Sequence, residues 1–283
     1  MIKNYQVVLE PNRGWLRIDW RSVVEFRDLL FMLVWRDYAV KHKQTVLGPA
    51  WIILNPLMTT LIFTQVFGGI ARIPTDGLPP TLFYLCGLLG WNYFARTLQQ
   101  TSSTFVDNAQ IFEKVYFPRL IPPLAAAFSN MVPFLIQLAM LSAFWIYYRF
   151  WTDAGQYLSL DPKMLLLPCL LLHAGALAVG VGLWIASVTA KYRDLLQVLG
   201  MLIQLWMYAT PVIYPLSEAP PRYFWLLALN PMAQVIESFR YLLLGQGTVD
   251  PMHYGLSIGV SLLVLLSGIM IFQRTERTFI DTI

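Results

Sequence analysis

Long apolar segments dominate this sequence and restrict the folds available to it. An α-helix rises 1.5 Å per residue, so about 20 apolar residues cross the roughly 30 Å hydrocarbon core of a bilayer. Six segments have this length and character: Leu47–Phe67, Leu78–Thr97, Ile121–Tyr148, Met164–Ala190, Leu195–Tyr214 and Met252–Phe272. Charged residues make up 13% of the chain, against about 25% in soluble domains. The sequence therefore predicts an all-α integral membrane protein with six transmembrane helices.

The distribution of Lys and Arg predicts how these helices are oriented. If the connecting segments alternate sides, fifteen basic residues fall on one side of the membrane and five on the other. Because cytoplasmic segments carry the excess of Lys and Arg, both termini are predicted to be cytoplasmic. We accordingly divide the chain into a cytoplasmic segment, residues 1–46, and a transmembrane domain, residues 47–283.

The N-terminal segment contains a short apolar run, Leu29–Trp35, with charged residues on both sides. This run is too short to span a bilayer but long enough to bury one face of a helix. We expect an amphipathic helix that lies along the inner leaflet. A cytoplasmic helix packed on the bundle is a compatible alternative.

The segment Tyr223–Gly245 is long enough to be a seventh crossing, but its composition argues against one. Asn230-Pro231 interrupts it after eight residues, because proline breaks the hydrogen-bond ladder of a helix. Glu237 and Arg240 would each cost about 2.5–3.5 kcal/mol near a bilayer centre. We therefore predict a re-entrant or interfacial helical hairpin on the outer face, where backbone at such depth packs in protein or lines water.

Motifs for nucleotide or metal chemistry are missing from the sequence. The chain has no Gly-Lys pair, so it lacks the phosphate-binding loop G-x-x-x-x-G-K-[ST], and it has no H-E-x-x-H motif. The predicted spans also contain few ionisable residues for an ion-coupled relay. If this chain moves a substrate, we expect the energy to come from another subunit.

One motif is typical of an enzyme. The stretch GLSIG, Gly255–Gly259, matches G-x-S-x-G, with His173 or His253 as a base for Ser257. The nucleophile elbow requires a turn from strand to helix, whereas this motif lies in an apolar helical segment. The alternative to an intramembrane serine hydrolase is helix packing through the two glycines and through Ser257 and Ser261. For His173 we expect an interhelical hydrogen bond.

A short charged element, QIFEKVYFPRLIPP (Gln110–Pro123), separates two of the apolar segments. Aromatic and charged residues alternate in it, and Pro118 ends its helix. The charge distribution places it in the cytoplasm, directly before the span that begins at Ile121. Such an element suits docking into a groove of a partner protein; an amphipathic loop on lipid headgroups is the alternative.

Five stretches occur in an order typical of one transporter family: RDYAVKHKQTVLGPAWIILNPL (Arg36–Leu57), EKVYFPRLIPPLAA (Glu113–Ala126), KYRDL (Lys191–Leu195), ATPVIYP (Ala209–Pro215) and LNPMAQVIESFRYLLLG (Leu229–Gly245). Through them the chain resembles the permease subunits of type-2 ATP-binding-cassette polysaccharide exporters, which move O-antigens, capsules and teichoic acids. The resemblance extends from about Arg36 to the end of the chain. The residues before it match less well.

The resemblance implies a homodimer in a bacterial inner membrane, docked to two copies of an ATPase subunit that bind ATP and Mg²⁺. The chain itself would then hold no cofactor or metal and would not be an enzyme; nucleic acid is not an expected partner. The implied ATPase-docking residues are Phe112, Glu113, Lys114, Val115, Tyr116, Phe117, Pro118 and Arg119. A second cytoplasmic contact would comprise Lys191, Tyr192, Arg193 and Asp194, and an outer gate Asn230, Pro231, Glu237 and Arg240.

The resemblance also implies the cargo, a lipid-linked glycan surrounded by membrane lipids. We expect O-antigen, with capsule, teichoic acid or a small lipid or drug as alternatives. Aromatic rings stack on the C–H faces of sugars, so aromatic residues are candidates for a glycan path: Trp51, Tyr93, Phe94, Trp206 and Tyr208. Packing against lipid or in the core is the alternative for each ring.

Overall fold

The computed structural model describes residues 24–42, 47–112, 114–115, 117–153 and 161–280. Within these ranges every regular element is a helix, which confirms the predicted all-α class. Residues 1–23 and 43–46 of the N-terminal segment lie outside the described residues. The proposed boundary at residue 46 therefore stays a prediction.

Ten helices longer than two turns form the described part of the chain. They are α1 Arg27–His42, α2 Trp51–Phe63, α3 Pro80–Ser102, α4 Ile121–Ser129, α5 Met131–Trp151, α6 Leu167–Thr189, α7 Leu195–Tyr208, α8 Pro221–Leu229, α9 Pro231–Leu244 and α10 Pro251–Ile280. A π-helical turn, Thr64–Ile70, continues α2, and a 3-10 turn, Pro162–Leu166, precedes α6. Asn130 alone separates α4 from α5.

Four helical segments are long and apolar enough to cross a membrane: Gly48–Ile70, Ile121–Trp151, Pro162–Thr189 and Pro251–Glu276. They coincide with four of the six predicted crossings. The helix α3 has 23 residues, a length of about 34 Å, but it is less apolar than these four. The helix α7 has 14 residues, or about 21 Å, and does not reach across a bilayer by itself.

The lower hydropathy of α3 follows from its position at the centre of the bundle. It contacts α2, α4, α5, α6, α7 and α9. Most of its side chains are buried, and the run Leu82–Cys86 is fully enclosed. A helix surrounded by protein makes little contact with lipid, so it tolerates polar residues that find partners in neighbouring helices.

The helix α7 ends six residues before the predicted end at Tyr214. Pro211 explains this correction, because proline lacks an N–H donor and its ring clashes with the carbonyl four residues earlier. The residue before a proline also disfavours helical dihedral angles. From Ala209 to Pro215 the backbone is irregular, a 3-10 turn follows at Leu216–Glu218, and from Thr210 to Leu216 nearly all residues are buried inside the bundle.

The helix α1 packs on the bundle, which is the alternative arrangement for the N-terminal apolar run, and its position along the inner leaflet stays a prediction. Leu33 is buried against Phe117 and Ile121, at the start of α4. On the remaining surface of α1, Phe31 and Trp35 are exposed. One face therefore packs on the bundle, and the other presents large apolar side chains that suit the lipid interface.

A close helix contact joins α6 and α10 through glycines that differ from the predicted pair. A Cβ atom on Gly268 would lie 2.5 Å from the carbonyl oxygen of Gly180. A Cβ atom on Gly255 or Gly259 would meet nothing within 4 Å. The prediction that these two glycines form a packing face within this chain is therefore wrong, because they lie on the open side of α10.

We expect the variant Gly268→Ala to lower the melting temperature of the purified protein, because the added methyl group meets backbone atoms that cannot move aside. Gly259→Ala is the matched control on the same helix. Its methyl group has open space, and replacing glycine by alanine favours a helix by about 1 kcal/mol. Thermal unfolding followed by size-exclusion chromatography would measure both variants, and equal melting temperatures would contradict the close packing.

Candidate functional site

The two predicted cytoplasmic contacts lie at the same end of the bundle. The hydroxyl of Thr189, at the end of α6, donates a hydrogen bond of 2.8 Å to the carbonyl of Ser102, at the end of α3. Phe105, just beyond α3, stacks on Phe272 of α10 with ring centroids 4.6 Å apart. The segment that follows Phe105 and the turn Lys191–Asp194 therefore start from adjacent helix ends.

The predicted docking element is attached to the bundle by its inward-facing side chains. Phe117 is only 4% exposed and contacts Phe112, with ring centroids 5.5 Å apart. The guanidinium of Arg119 lies over the Phe112 ring and donates to the carbonyl of Glu276 on α10 at 3.2 Å. Phe112, Phe117 and Arg119 therefore attach the element to the bundle, and their role in docking stays a prediction.

The outward side of the element consists of Lys114 and Val115. Lys114 is exposed and Val115 is 53% exposed. Pro118 is half-buried between the two sides, while Glu113 and Tyr116 lie outside the described residues. In the second predicted contact, all four side chains are exposed: Lys191, Tyr192, Arg193 and Asp194. This end of the bundle therefore presents two exposed, charged turns on a rigid base.

At the other end, a buried ion pair on α9 holds the irregular segment after α7. Glu237 is 0% exposed and Arg240 is 1% exposed, and their side chains are 2.8 Å apart. Arg240 also donates to the carbonyl of Val212 at 2.8 Å. Glu237 accepts from the backbone N–H groups of Leu216 at 3.1 Å and Thr248 at 3.1 Å. The pair thus bonds the backbone of two non-helical segments.

Aromatic contact and a glycine complete the surroundings of Arg240. Its guanidinium lies 3.7 Å from the centre of the Phe83 ring on α3, a cation–π contact. A Cβ atom on Gly87, one turn further along α3, would lie 3.0 Å from the guanidinium and 3.0 Å from the carbonyl oxygen of Val212. Glycine at this position leaves room for both groups.

The break between α8 and α9 occurs at Asn230, as the sequence predicts. The side-chain oxygen of Asn230 caps α9 by accepting from the N–H of Met232 at 3.1 Å, and it also accepts from the indole N–H of Trp206 at 3.3 Å. Its amide nitrogen donates to the hydroxyl of Thr210 at 2.9 Å. Asn230 therefore connects the start of α9 to the end of α7.

Sequence reasoning identified Asn230, Glu237 and Arg240 but missed their partners. The pair was treated as a cost of insertion, whereas it satisfies the backbone at Val212 and Leu216. The available signal was the stretch ATPVIYP, with two prolines within five residues, which disfavours a continuous helix there. The role of Gly87 left no signal, because it depends on a side chain 153 positions away.

Two exposed carboxylates begin helices at this same end. The backbone N–H of Lys163 donates to Asp161 at 2.9 Å, and that of Met252 donates to Asp250 at 3.0 Å. These backbone hydrogen bonds lower the pKa of both carboxyl groups below its usual value. Negative charge is favourable at a helix N-terminus, so both groups stabilise the helix starts in their charged form.

The G-x-S-x-G motif lies inside the continuous helix α10, near its start, so there is no nucleophile elbow at Ser257. The hydroxyl of Ser257 donates to the carbonyl of Pro231 at 3.0 Å. The Nε2 atom of His173 is 2.9 Å from the hydroxyl of Ser261, which confirms the expected interhelical hydrogen bond. These groups join α6, α9 and α10.

Among the described residues no three His, Cys, Asp or Glu side chains form a metal-ligand set.

The candidates for a glycan path have different environments. Phe94 is fully buried and Tyr93 nearly so, and both belong to the core of the bundle. Trp51 and Tyr208 are exposed. Trp206 lines an open cavity of about 600 Å³ together with Tyr214, Tyr223 and Asn230. Of the five candidates for a glycan path, three reach a surface or cavity in this conformation: Trp51, Tyr208 and Trp206.

Comparison with known proteins supplies a family. Residues 28–244 match the family model described as ABC-2 type transporter. The chain is 27% identical to the O-antigen export system permease protein RfbA of Klebsiella pneumoniae, over 90% of this chain and 94% of the relative. It is 26% identical to the protein of the same name from Myxococcus xanthus, over 93% and 98%. Identity to the polysialic acid transport protein KpsM of Escherichia coli is 21%, over 87% and 93%.

The ion pair on α9 generates a stability prediction. Removing one partner of a buried pair costs about 3–5 kcal/mol, so Arg240→Ala should greatly reduce the yield and melting temperature of the protein. The exposed pair between Arg27 and Asp28 provides the control, and Arg27→Ala should change the melting temperature little because water screens exposed charges. If Arg240→Ala melted at the wild-type temperature, the pair would not be holding the irregular segment.

Proposed function

The chain belongs to the ABC-2 type transporter family, and from this premise we propose that it is the membrane subunit of an ATP-driven exporter of lipid-linked polysaccharide. The observation that carries the proposal is the alignment with polysaccharide export permeases over nearly their full length. The higher identity to proteins named for O-antigen export than to the polysialic acid transporter favours O-antigen as the cargo.

We propose that the transporter lies in a bacterial inner membrane with six crossings per chain. The helix α3 supplies a fifth crossing, since its length of about 34 Å is sufficient. The helix α7 and the irregular segment Ala209–Pro215 supply the sixth together. The excess of Lys and Arg at the end that carries Lys114 and Lys191 supports a cytoplasmic position for that end and for both termini.

Permease subunits of this family are not enzymes themselves, and we propose that a separate ATPase chain binds ATP and Mg²⁺. Two copies of this chain and two copies of the ATPase would form the complete transporter. The proposed docking surface is the outward side of the element, Lys114 and Val115, together with the turn Lys191–Asp194. Glu113 and Tyr116, which lie outside the described residues, remain docking candidates from the sequence. Phe112, Phe117 and Arg119 would transmit the motion of the ATPase to α1, α4 and α10.

At the opposite end, α8 and α9 would form the outer gate as a re-entrant hairpin. The irregular segment held by Glu237 and Arg240 lies beside the cavity of Trp206, Tyr214 and Tyr223. Aromatic rings and the amide of Asn230 suit sugars, because sugars combine C–H faces with hydroxyl edges. Repeated weak stacking would let a polymer pass without strong binding of any one unit.

The proposed docking surface makes a testable prediction. The variants Lys114→Glu and Val115→Asp should reduce the amount of ATPase that co-purifies with this chain by about tenfold or more, the scale of losing an interface hot spot. The melting temperature should stay unchanged, because both side chains are exposed.

Two comparisons make this experiment specific. Arg222→Glu, an exposed charge reversal at the opposite end, should retain the ATPase. Phe117→Ala should lower the melting temperature by removing the buried attachment of the element. Unchanged co-purification in the Lys114 and Val115 variants would show that the ATPase binds elsewhere.

The proposed function itself is tested by hydrolysis and export together. Purified alone, the chain should hydrolyse no ATP. The complex of the chain with its ATPase, reconstituted in vesicles, should hydrolyse ATP. Deleting its gene should leave lipid-linked glycan on the cytoplasmic face, detected by its loss from the cell surface and its accumulation in the inner membrane. Normal surface glycan in the deletion strain would refute export as the function.

A further inference from the structure

Arg96, on the central helix α3, is a half-buried cation without a partner among the described residues. Arg96 lies on α3, six residues before Ser102, which places its backbone about 9 Å inside the end of the helix. Its side chain is half-buried, and no hydrogen bond or ion pair to its guanidinium occurs within the described ranges. If α3 crosses the membrane as proposed, a charge at this position is costly unless the side chain reaches the interface or binds a partner there.

The polar residues one turn to either side of Arg96 are satisfied. Helical spacing places Asn92, Arg96 and Gln100 on one face of α3. The amide of Asn92 donates to Gln137 of α5 at 3.0 Å, and the amide of Gln100 donates to Asp37 of α1 at 2.6 Å. The face therefore forms a polar stripe in which the guanidinium alone has no anion or acceptor.

This polar stripe starts at a cavity at the end of the bundle that we propose is cytoplasmic. The cavity has a volume of about 290 Å³ and is lined by polar side chains that include Arg36, Asp37, Gln100, Asp107 and Asn108. Arg36 is already bonded to Asp37 at 2.8 Å and to Asn108 at 3.1 Å. Arg96 does not line this cavity, but it lies one helical turn along α3 from Gln100, which does.

We propose that Arg96 binds the phosphate of a membrane lipid headgroup at the depth of the inner leaflet. A guanidinium offers several donors in a planar fork that matches phosphate oxygens, and the long side chain can reach from the helix toward the interface. The inference rests on the proposed function for the sidedness of α3. Two lipids carry the required chemistry: the phosphorylated carrier of the exported glycan, and bulk anionic phospholipid.

The test is a lipid titration of the purified full chain in detergent, with the bound fraction measured by native mass spectrometry. The probes are a polyprenyl diphosphate, phosphatidylglycerol, and a polyprenol of the same length without phosphate. Arg96→Gln should weaken binding of the diphosphate by about 10- to 100-fold, the range expected for losing hydrogen bonds to a charged group. Arg96→Lys should retain part of the binding, and the polyprenol should bind both proteins equally.

The matched control is Arg149→Gln, which removes an exposed arginine of α5 at the opposite end and should leave all three titrations unchanged. Loss of the diphosphate alone would assign the site to the carrier lipid, and equal loss of phosphatidylglycerol would assign it to bulk lipid. Wild-type binding of both phosphates by Arg96→Gln would overturn the proposal. The proposal would also be overturned if Arg96→Gln dissociated a dimer that the wild-type chain forms, since the partner of Arg96 would then be the second copy of the chain.

These outcomes separate the inference from the proposed function. The titration uses neither ATP nor export, so unchanged phosphate binding in an active exporter removes only the role of Arg96. Conversely, a chain that binds phosphate through Arg96 but is dispensable for surface glycan would retain the site and lose the proposed function.

Discussion

Unsatisfied backbone groups inside a membrane protein are the constraint on which this structure depends. Where a helix stops within the bundle, its carbonyl and N–H groups have to find partners in the protein. Pro211 stops α7, and Glu237 and Arg240 supply the partners for Val212 and Leu216. The charges that would be costly in lipid are therefore held by backbone dipoles and by each other. The contact of Arg240 with Phe83 also fixes α9 against α3.

The two ends of the bundle are connected by a helix without a break. Near the start of α10, Ser257 bonds to Pro231 and Ser261 bonds to His173. Near its other end, the carbonyl of Glu276 accepts a hydrogen bond from Arg119. Between these points its backbone packs on Gly180 of α6 without intervening side chains. Because this contact joins two helix backbones directly, we expect a displacement of the element at Arg119 to move α10 and α6 together.

Local sequence signals predicted the features that depend on local chemistry. The break at Asn230, the helical state of the G-x-S-x-G stretch and the apolar length of four spans all follow from neighbouring residues. Features that depend on tertiary partners could not be read in this way. The contact of Arg119 with Glu276 of α10 and the enclosure of α3 by the other helices are two such features. The roles of Gly87 and Gly268 depend on contacts that no local pattern encodes.

The distribution of aromatic rings limits where a glycan route can run. Phe83 and Phe94 of α3 are enclosed by the other helices, so a route through the centre of one chain would require the bundle to open at its best-packed helix. Trp51 on α2 and Tyr208 on α7 remain exposed. Because α3 fills the interior of each copy, the proposed homodimer would place the route between two copies, where such exposed faces meet. The buried rings then serve stability, and the exposed ones are left to contact the passing sugars or the surrounding lipid.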